Sequence, residues 1–270
     1  MASSISGQWA ITRAANYMTS HSNKISASVA RLAGNTKFAS GADNPSGMAF
    51  AQRTRSNATA ATQASENLQS GQTVTKLAES AYSSIVDILS KAREIASQAN
   101  NPSYTNDDIA TAKSAIDQLY AQIGTVESAA TFNGTEILGN TDGFTFQIGE
   151  ASGSTLEIKS LSKFTDSVSA APDMTKASDV STAISTIDTH INTVMGYQAN
   201  VGAWESALGY VNDFVSNKSA ILQESAANAG NVNITTEMSS YVNNTIALQA
   251  AQFISAQQNQ NAYSVLNLLK

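Results

Sequence analysis

Hydrophobic side chains recur in this chain at alternating steps of three and four residues. That spacing places them along one side of an α-helix, as in helices that pack side by side over a long distance. Near the N-terminus the positions with this spacing are Ile11, Ala15, Met18, Ser22, Ile25, Val29 and Leu32. Farther on they are Val74, Ala78, Ala81, Ile85, Ile88, Ala92, Ile95 and Ala99. The pattern predicts two helices, each with an apolar seam along one side, that can pack side by side with other helices.

Local chemistry marks both ends of the second helix. Asn44 is suited to cap a helix, and Pro45 to occupy its first turn. Asn100 lies shortly before Pro102, and the residue that precedes a proline leaves the helical region. The segment between these signals is expected to form one helix, roughly 80 Å long at 1.5 Å per residue.

The middle of the chain changes from helical to strand-like spacing. After a further helix expected over about 106–130, apolar and polar residues alternate around Phe144–Ile148 and Thr155–Ile158, which predicts a β-hairpin at about 140–160. A polar connector over 166–180 is followed by apolar residues that again have helical spacing. A break in the helix is expected near Gly230. We therefore expect a mainly α fold of long antiparallel helical rods or coiled coil, with a small β-hairpin region.

The terminal segment is nearly free of charge. After Glu237, the only charged side chain is Lys270. The segment nevertheless carries a stripe of apolar residues, which comprises Val242, Ile246, Ala250, Phe253, Leu266 and Leu269. An apolar stripe without charge requires a partner, either the other end of the chain or another subunit.

Composition excludes several classes of protein. The 270 residues include no cysteine and two histidines, which argues against disulfide frameworks and against cysteine or multi-histidine metal sites. The net charge of −6 argues against nucleic-acid binding, and no apolar run approaches the ~18 residues that a membrane span needs. No P-loop, dinucleotide fingerprint or nucleophile motif is present. We expect neither an enzyme nor a cofactor.

Several ordered blocks of the sequence resemble bacterial flagellin. The segment 30–51, with its arginine, leucine and glycine ahead of the Asn44 turn, is similar to the family's N-terminal signature. The segments 63–73 and 89–100 are similar to the blocks that follow it. Phe132-Asn133-Gly134 resembles the family's turn, and the end of the chain resembles its closing helix. Only about 15 residues follow the hairpin where many flagellins carry outer domains, so the resemblance is to a short form that lacks large outer domains.

The resemblance implies a structural subunit of the flagellar filament, which self-assembles into a helical tubular polymer for swimming motility. Residues 1–40 and 228–270 would form the inner coiled coil, and 41–227 the rod-like core. The implied partners are further copies of the chain, an export chaperone on the C-terminal helix, hook-associated and cap proteins, and a Toll-like innate immune receptor. The implied location is the extracellular filament, reached by type III export without a cleaved signal peptide.

Two sets of residues are assigned on this basis. The expected subunit-contact residues are Ile11, Met18, Ile25, Leu32, Ile88, Arg93, Glu94, Ile95, Val242, Ile246, Phe253, Leu266 and Leu269. The residues expected to carry O-linked sugars, if any do, are Ser152, Ser154, Thr155, Ser160 and Ser162. Two alternatives stay open: a hook–filament junction protein with the same terminal design, and a non-polymeric secreted coiled-coil interaction module.

Overall fold

The computed structural model describes residues 2–159, 161–168 and 170–268. Its elements, in chain order, are α1 (Ala2–Gly34), α2 (Pro45–Ala99), α3 (Asn106–Ala129), β1 (Thr131–Phe132), β2 (Thr135–Glu136), β3 (Phe144–Gln147), β4 (Thr155–Ile158), α4 (Phe164–Ser167), α5 (Ala177–Gly230) and α6 (Ile234–Leu268). The expected fold class, long helices with a small hairpin region, is confirmed. Helix α4 was not expected, since it overlaps the start of the segment predicted to be a polar connector.

The chain divides into two compact units. The first comprises Met1–Ala58 and Ala220–Lys270, and the second comprises Thr59–Ser219. The sequence-based division at 40/41 and 227/228 stays a prediction about the assembled polymer.

In the first unit, α1 and α6 pack side by side. Arg31 is hydrogen-bonded to Glu237. His21, which precedes Arg31 in α1, is hydrogen-bonded to Asn244, which follows Glu237 in α6. The two helices are therefore antiparallel. Helix α1 ends in a Schellman motif, in which Asn35 adopts a positive φ of 47° and the Thr36 amide donates to the Arg31 carbonyl at 3.0 Å.

The start of α2 follows the sequence expectation. The Asn44 side chain accepts a hydrogen bond from the Gly47 amide at 2.9 Å, so it caps the helix that begins at Pro45. A Cβ on Gly47 would approach the ring of Phe38 to 2.9 Å. The Asn44 side-chain amide lies 2.8 Å from the same point, so a larger residue here would displace the Phe38 ring and the helix cap.

The second unit has a core built from α2, α3 and α5 together with the hairpin residues. Along α5, a buried apolar side chain recurs every seven residues, at Ile187, Val194, Val201, Leu208 and Val215. In α2, Leu89 and Ala96 are fully buried, whereas Ile88 and Ile95 are only partly buried. Helix α2 packs against more than one neighbour, so its buried side is wider than the seam predicted for a two-helix contact.

Strands β3 and β4 form the expected antiparallel hairpin, in which Phe144 is paired with Ile158. The hairpin packs on the long helices. At Gly71 of α2, an added Cβ would lie only 3.2 Å from both Phe146 of β3 and Leu208 of α5, so the three elements meet there. Strands β1 and β2 form a second, two-residue hairpin around Asn133 and Gly134, both at positive φ. Over the described residues, no helix is long and apolar enough to cross a bilayer.

Candidate assembly surface

Helix α6 meets α1 through a mixed set of apolar and polar side chains, of which the fully buried ones are small. The side chains of α6 that are buried or partly buried at alternating steps of four and three are Glu237, Tyr241, Asn244, Leu248, Ala251, Ser255 and Gln258. On α1 the corresponding set is Ile11, Ala14, Met18, His21, Ile25, Ser28 and Leu32. Ala14, Ser28 and Ala251 are the buried members, and their small size lets the two backbones approach closely.

This register corrects one part of the sequence analysis. The expected seam of α1 included Ala15, Ser22 and Val29, but all three are exposed, and Val29 retains 48% of its accessible surface. The side chains at 14, 21 and 28 take their place. Both sets alternate with the same residues at 11, 18, 25 and 32, so the spacing alone allowed either register.

Two polar contacts fix the pairing of the terminal helices. His21 Nδ1 lies 2.9 Å from Asn244 Oδ1, and Arg31 Nη2 donates to Glu237 Oε1 at 2.8 Å. The hydrogen bond from Arg31 lowers the pKa of the Glu237 carboxyl below its ordinary value. Because both Arg31 and Glu237 are largely shielded from solvent, the pair specifies which residues of α1 and α6 face each other.

The hydrophobic stripe of α6 points away from α1. Val242, Ile246 and Phe253 lie on one side of the helix, and they are 46%, 59% and 72% exposed. Further large apolar side chains of the same unit are also exposed, namely Trp9, Tyr17, Ile234, Met238 and Ile254. The unit thus leaves several large apolar side chains exposed beside a helix contact whose fully buried members are small.

Comparison with known proteins identifies the family. A model of the bacterial flagellin N-terminal helical region matches residues 5–142, and one of the bacterial flagellin C-terminal helical region matches residues 184–269. The first match alone spans more than half of the chain. The chain belongs to the bacterial flagellin family. A flagellin of Halalkalibacterium halodurans is 29% identical to it over 84% of this chain and 85% of that protein.

Solved structures agree with this fold. Bacillus cereus flagellin matches 55% of this chain and 88% of its own, at 22% identity and a TM-score of 0.50. A protein described as flagellar hook-associated, from Vibrio parahaemolyticus, matches 70% of this chain and all of its own, at 16% identity and a TM-score of 0.59. The flagellins are structural proteins, and this chain is a structural subunit of the extracellular flagellar filament that serves motility.

The remaining contact residues assigned from the sequence of this flagellin fall into three groups. Ile11, Met18, Ile25 and Leu32 are partly buried within the subunit, as members of the α1 set that pairs with α6. Ile88 and Ile95 are partly buried against the core of the second unit. The structure does not describe the side chain of Leu266, and Leu269 lies outside the described residues.

Arg93 and Glu94 lie on the exposed side of α2 and make contacts within the chain. Arg93 donates to both carboxylate oxygens of Asp188 on α5, which raises the pKa of the guanidinium. Glu94 accepts from Lys91 Nζ at 2.7 Å and from Gln98 Nε2 at 3.3 Å. Asp188 could not be predicted as a partner, because nothing in the sequence indicates that residues 95 positions apart are paired.

The candidate glycosylation residues lie at and after the β3–β4 hairpin. Ser152, Thr155 and Ser162 are exposed, and Ser154 is partly exposed. Ser160 lies outside the described residues.

Within the part of the chain that the structure describes, His, Asp and Glu side chains form no cluster suited to a metal ion. His190 Nδ1 lies 2.7 Å from the Tyr120 hydroxyl, and its ring packs edge-on against Phe164. Burial lowers the pKa of His190 and raises that of Tyr120. These groups contribute to packing and hydrogen bonding inside the second unit.

Proposed function

We propose that this flagellin polymerises through the outward stripe of α6, formed by Val242, Ile246 and Phe253. In the filament these side chains pack against the terminal helices of neighbouring copies, which surround the central channel of a tube. Residues 1–40 and 228–270 form this inner coiled coil, and 41–227 form the rod-like core. The observation that carries the proposal is the exposure of large apolar side chains on a helix that has no charged residue between Glu237 and Lys270.

The physical driving force is the burial of that stripe. Complete removal of one such side chain from water contributes about 1.5–3 kcal/mol. Many contacts of this size, repeated along a polymer, stabilise it strongly without any single dominant pair. The absence of charge on the stripe avoids both the cost of burying ions and repulsion between identical copies.

The α6 stripe also bears on export of the chain and on the proteins that meet the ends of the filament. We propose that the chain leaves the cell by type III export without a cleaved signal peptide, and that a cytoplasmic chaperone covers the α6 stripe before export. Hook-associated and cap proteins would meet the ends of the polymer. A Toll-like innate immune receptor would meet the exposed side of α2 near Arg93 and Glu94, which are both exposed in the subunit.

The remaining assignments complete the proposal. The protein is not an enzyme and uses no cofactor, since its role is mechanical. O-linked sugars, where added, would be carried by the exposed hydroxyls of Ser152, Thr155 and Ser162 and by Ser154. Intact mass of the secreted protein measures this directly, and a mass equal to that of the bare chain would remove the sugars from the proposal.

Electron microscopy of the purified chain, concentrated with short filament seeds, tests the polymer. We expect long tubular filaments from the wild type and few or none from the double variant Ile246→Gln/Phe253→Gln. Both substitutions keep good helix formers in α6, so the helix content should not change. Gln252→Ala, at an exposed polar position of the same helix, is the matched control and should polymerise normally.

The outcomes separate the competing functions. Discrete particles from the wild type under every seeded condition would overturn the filament proposal, and would favour the junction protein or the coiled-coil module. Wild-type filaments together with normal filaments from the double variant would retain the polymer and reject the α6 stripe as its contact surface.

A further inference from the structure

A cleft in the second unit borders the segment that follows the β3–β4 hairpin. Tyr197, Asn200 and Trp204 line it from one side of α5, since they are three and four residues apart in the helix. Lys159 and Ser162 line it from the segment after β4. The cleft has a volume of about 290 Å³. We call it the Trp204 cleft.

Hydrogen bonds within the unit hold the Trp204 cleft in shape. Tyr82 of α2, which also lines the cleft, is 1% exposed and donates from its hydroxyl to the Ser162 carbonyl at 2.7 Å. The Tyr197 hydroxyl lies 2.7 Å from Ser167 Oγ, and the centroids of the two tyrosine rings are 5.7 Å apart. The cleft is therefore formed before a ligand arrives, as is usual for small-molecule sites.

Three polar groups of the cleft are available to a ligand. Over the part of the chain that the structure describes, the Lys159 ammonium forms no ion pair, whereas Lys163, four residues later, pairs with Glu136 at 2.7 Å. Within the same residues, neither the Asn200 amide nor the Trp204 indole N–H is hydrogen-bonded. An unpaired ammonium beside two neutral donors favours a ligand that carries a carboxylate.

The size and lining of the cleft limit the rest of the ligand. Pockets for drug-sized ligands span about 300–1,000 Å³, so this cleft admits about one ring. The rings of Tyr197 and Trp204 offer apolar faces with polar tips, on which the C–H faces of a sugar ring can pack. A cyclic acid without hydroxyls would satisfy these rings and the ammonium, but it would leave the Asn200 amide without a partner.

We propose that the Trp204 cleft binds a hexuronic acid, a six-membered sugar ring with a carboxylate, either free or at the end of a polysaccharide. Trp204 and Tyr197 contact the ring, Asn200 bonds its hydroxyls, and Lys159 pairs with its carboxylate. The lining residues all belong to the second unit of one chain. The proposal therefore does not rest on polymerisation, and it is tested on the full-length monomer.

Tryptophan fluorescence measures binding to this cleft. The chain has two tryptophans, so Trp9→Phe leaves Trp204 as the only one. Glucuronate and its methyl glycoside, which represents the linked sugar, should change the emission saturably with a Kd of about 1 mM. Glucose lacks the carboxylate and cyclohexanecarboxylate lacks the hydroxyls, so each should bind at least about tenfold more weakly. Equal binding of either control compound would overturn the proposal.

A pair of lysine variants in the Trp9→Phe background tests the charge contact. Lys159→Gln should weaken glucuronate binding by about tenfold or more and leave the weak binding of glucose unchanged. Lys176→Gln removes an exposed lysine that does not line the cleft, and it should bind glucuronate as the parent does. Equal glucuronate affinity of the two variants would reject Lys159 as the carboxylate partner and the proposal with it.

Saturation-transfer NMR detects the ring contact without relying on tryptophan emission. Saturation of the protein should reach the C–H protons of glucuronate in the wild type and in Trp9→Leu, but not in Trp204→Leu. Because Trp204 packs on the core, the Tm of that variant is measured as well. Asn200→Ala, at an exposed position, should weaken binding with an unchanged Tm. No transfer in the wild type, or equal transfer in the two leucine variants, would overturn the proposal.

Discussion

Arg31 Nη2 donates a hydrogen bond to Glu237 Oε1 at 2.8 Å, and this bond joins two helices through residues 206 positions apart. The side chains of Arg31 and Glu237 retain only 24% and 14% of their accessible surface. Asp43, in the turn before α2, lies 3.9 Å from the same guanidinium. The arginine therefore connects the end of α1, the following turn and the start of α6.

Replacing Glu237 by glutamine should loosen the pairing of α1 with α6. Hydrogen bonds to charged groups contribute about 1.5–3 kcal/mol, so we expect a loss of stability in that range. Hydrogen exchange across 28–37 and 234–244 should accelerate in the monomer. Asp117→Asn removes a solvent-exposed ion pair with Lys113 in α3 and should change stability by less than about 0.5 kcal/mol. If Glu237→Gln were as stable as Asp117→Asn, the Arg31–Glu237 pair would contribute nothing to the stability of the unit.

Acid should weaken the same contact. Arg31 holds the folded-state pKa of Glu237 below its ordinary value of 4.5. The pair therefore stabilises the folded unit fully above that value, and its contribution is lost as the pH falls through the folded-state pKa. The difference in unfolding free energy between wild type and Glu237→Gln should accordingly shrink below about pH 4.

Glu127 should be essential to the segment that follows the β3–β4 hairpin. Its carboxylate is 1% exposed and accepts hydrogen bonds from the Phe164 and Thr165 amides and from the Thr165 hydroxyl. Glu127→Ala would leave these donors unsatisfied, so we expect a loss of about 2–4 kcal/mol, measured by denaturant unfolding. Glu127→Gln keeps one acceptor oxygen and should lose less. Equal losses from the two variants would indicate that packing, rather than hydrogen bonding, dominates at this site.

Gly143 should tolerate no side chain, whereas Gly153 should tolerate one at moderate cost. Both adopt positive φ, 66° and 93°, in the β3–β4 region. A Cβ at Gly143 would lie 2.5 Å from the Ile158 carbonyl oxygen, but a Cβ at Gly153 would meet nothing within 4 Å. We expect Gly153→Ala to cost about 1–2 kcal/mol through backbone strain alone, and Gly143→Ala to cost more. Comparable melting temperatures for the two alanine variants would contradict this assignment of the clash.

The elements of this fold could be predicted where the signal is local. Asn44 and Pro45 mark the start of α2 because a cap and a first turn depend on adjacent residues. The register of α1 could not be predicted, since Ala14 and Ala15 are chemically identical and only the partner helix selects between them. The same holds for the α6 stripe, whose sequence indicates a partner but not whether that partner is α1 or another copy. Glu127 and Asp188 were missed because their partners are distant in the chain.

His190 should make the second unit sensitive to mild acid. Its ring is hydrogen-bonded to Tyr120 and packed on Phe164, and burial lowers its pKa below the ordinary value of 6.5. The unfolded chain then takes up the proton more readily than the folded one, so stability falls as the pH drops from about 6.5 through the folded-state pKa. His190→Gln keeps a polar partner for Tyr120 but does not titrate.

The comparison of thermal unfolding near pH 7 and near pH 5 tests this, with each Tm taken on the monomer. Wild type should lose more stability on acidification than His190→Gln does. His21→Gln, at the α1–α6 contact, is the matched substitution at the other histidine and measures what a histidine-to-glutamine change does in itself. If His190→Gln loses as much as the wild type, the pH dependence arises from carboxylates, and the contact between His190 and Tyr120 serves only to pack α3 against α5.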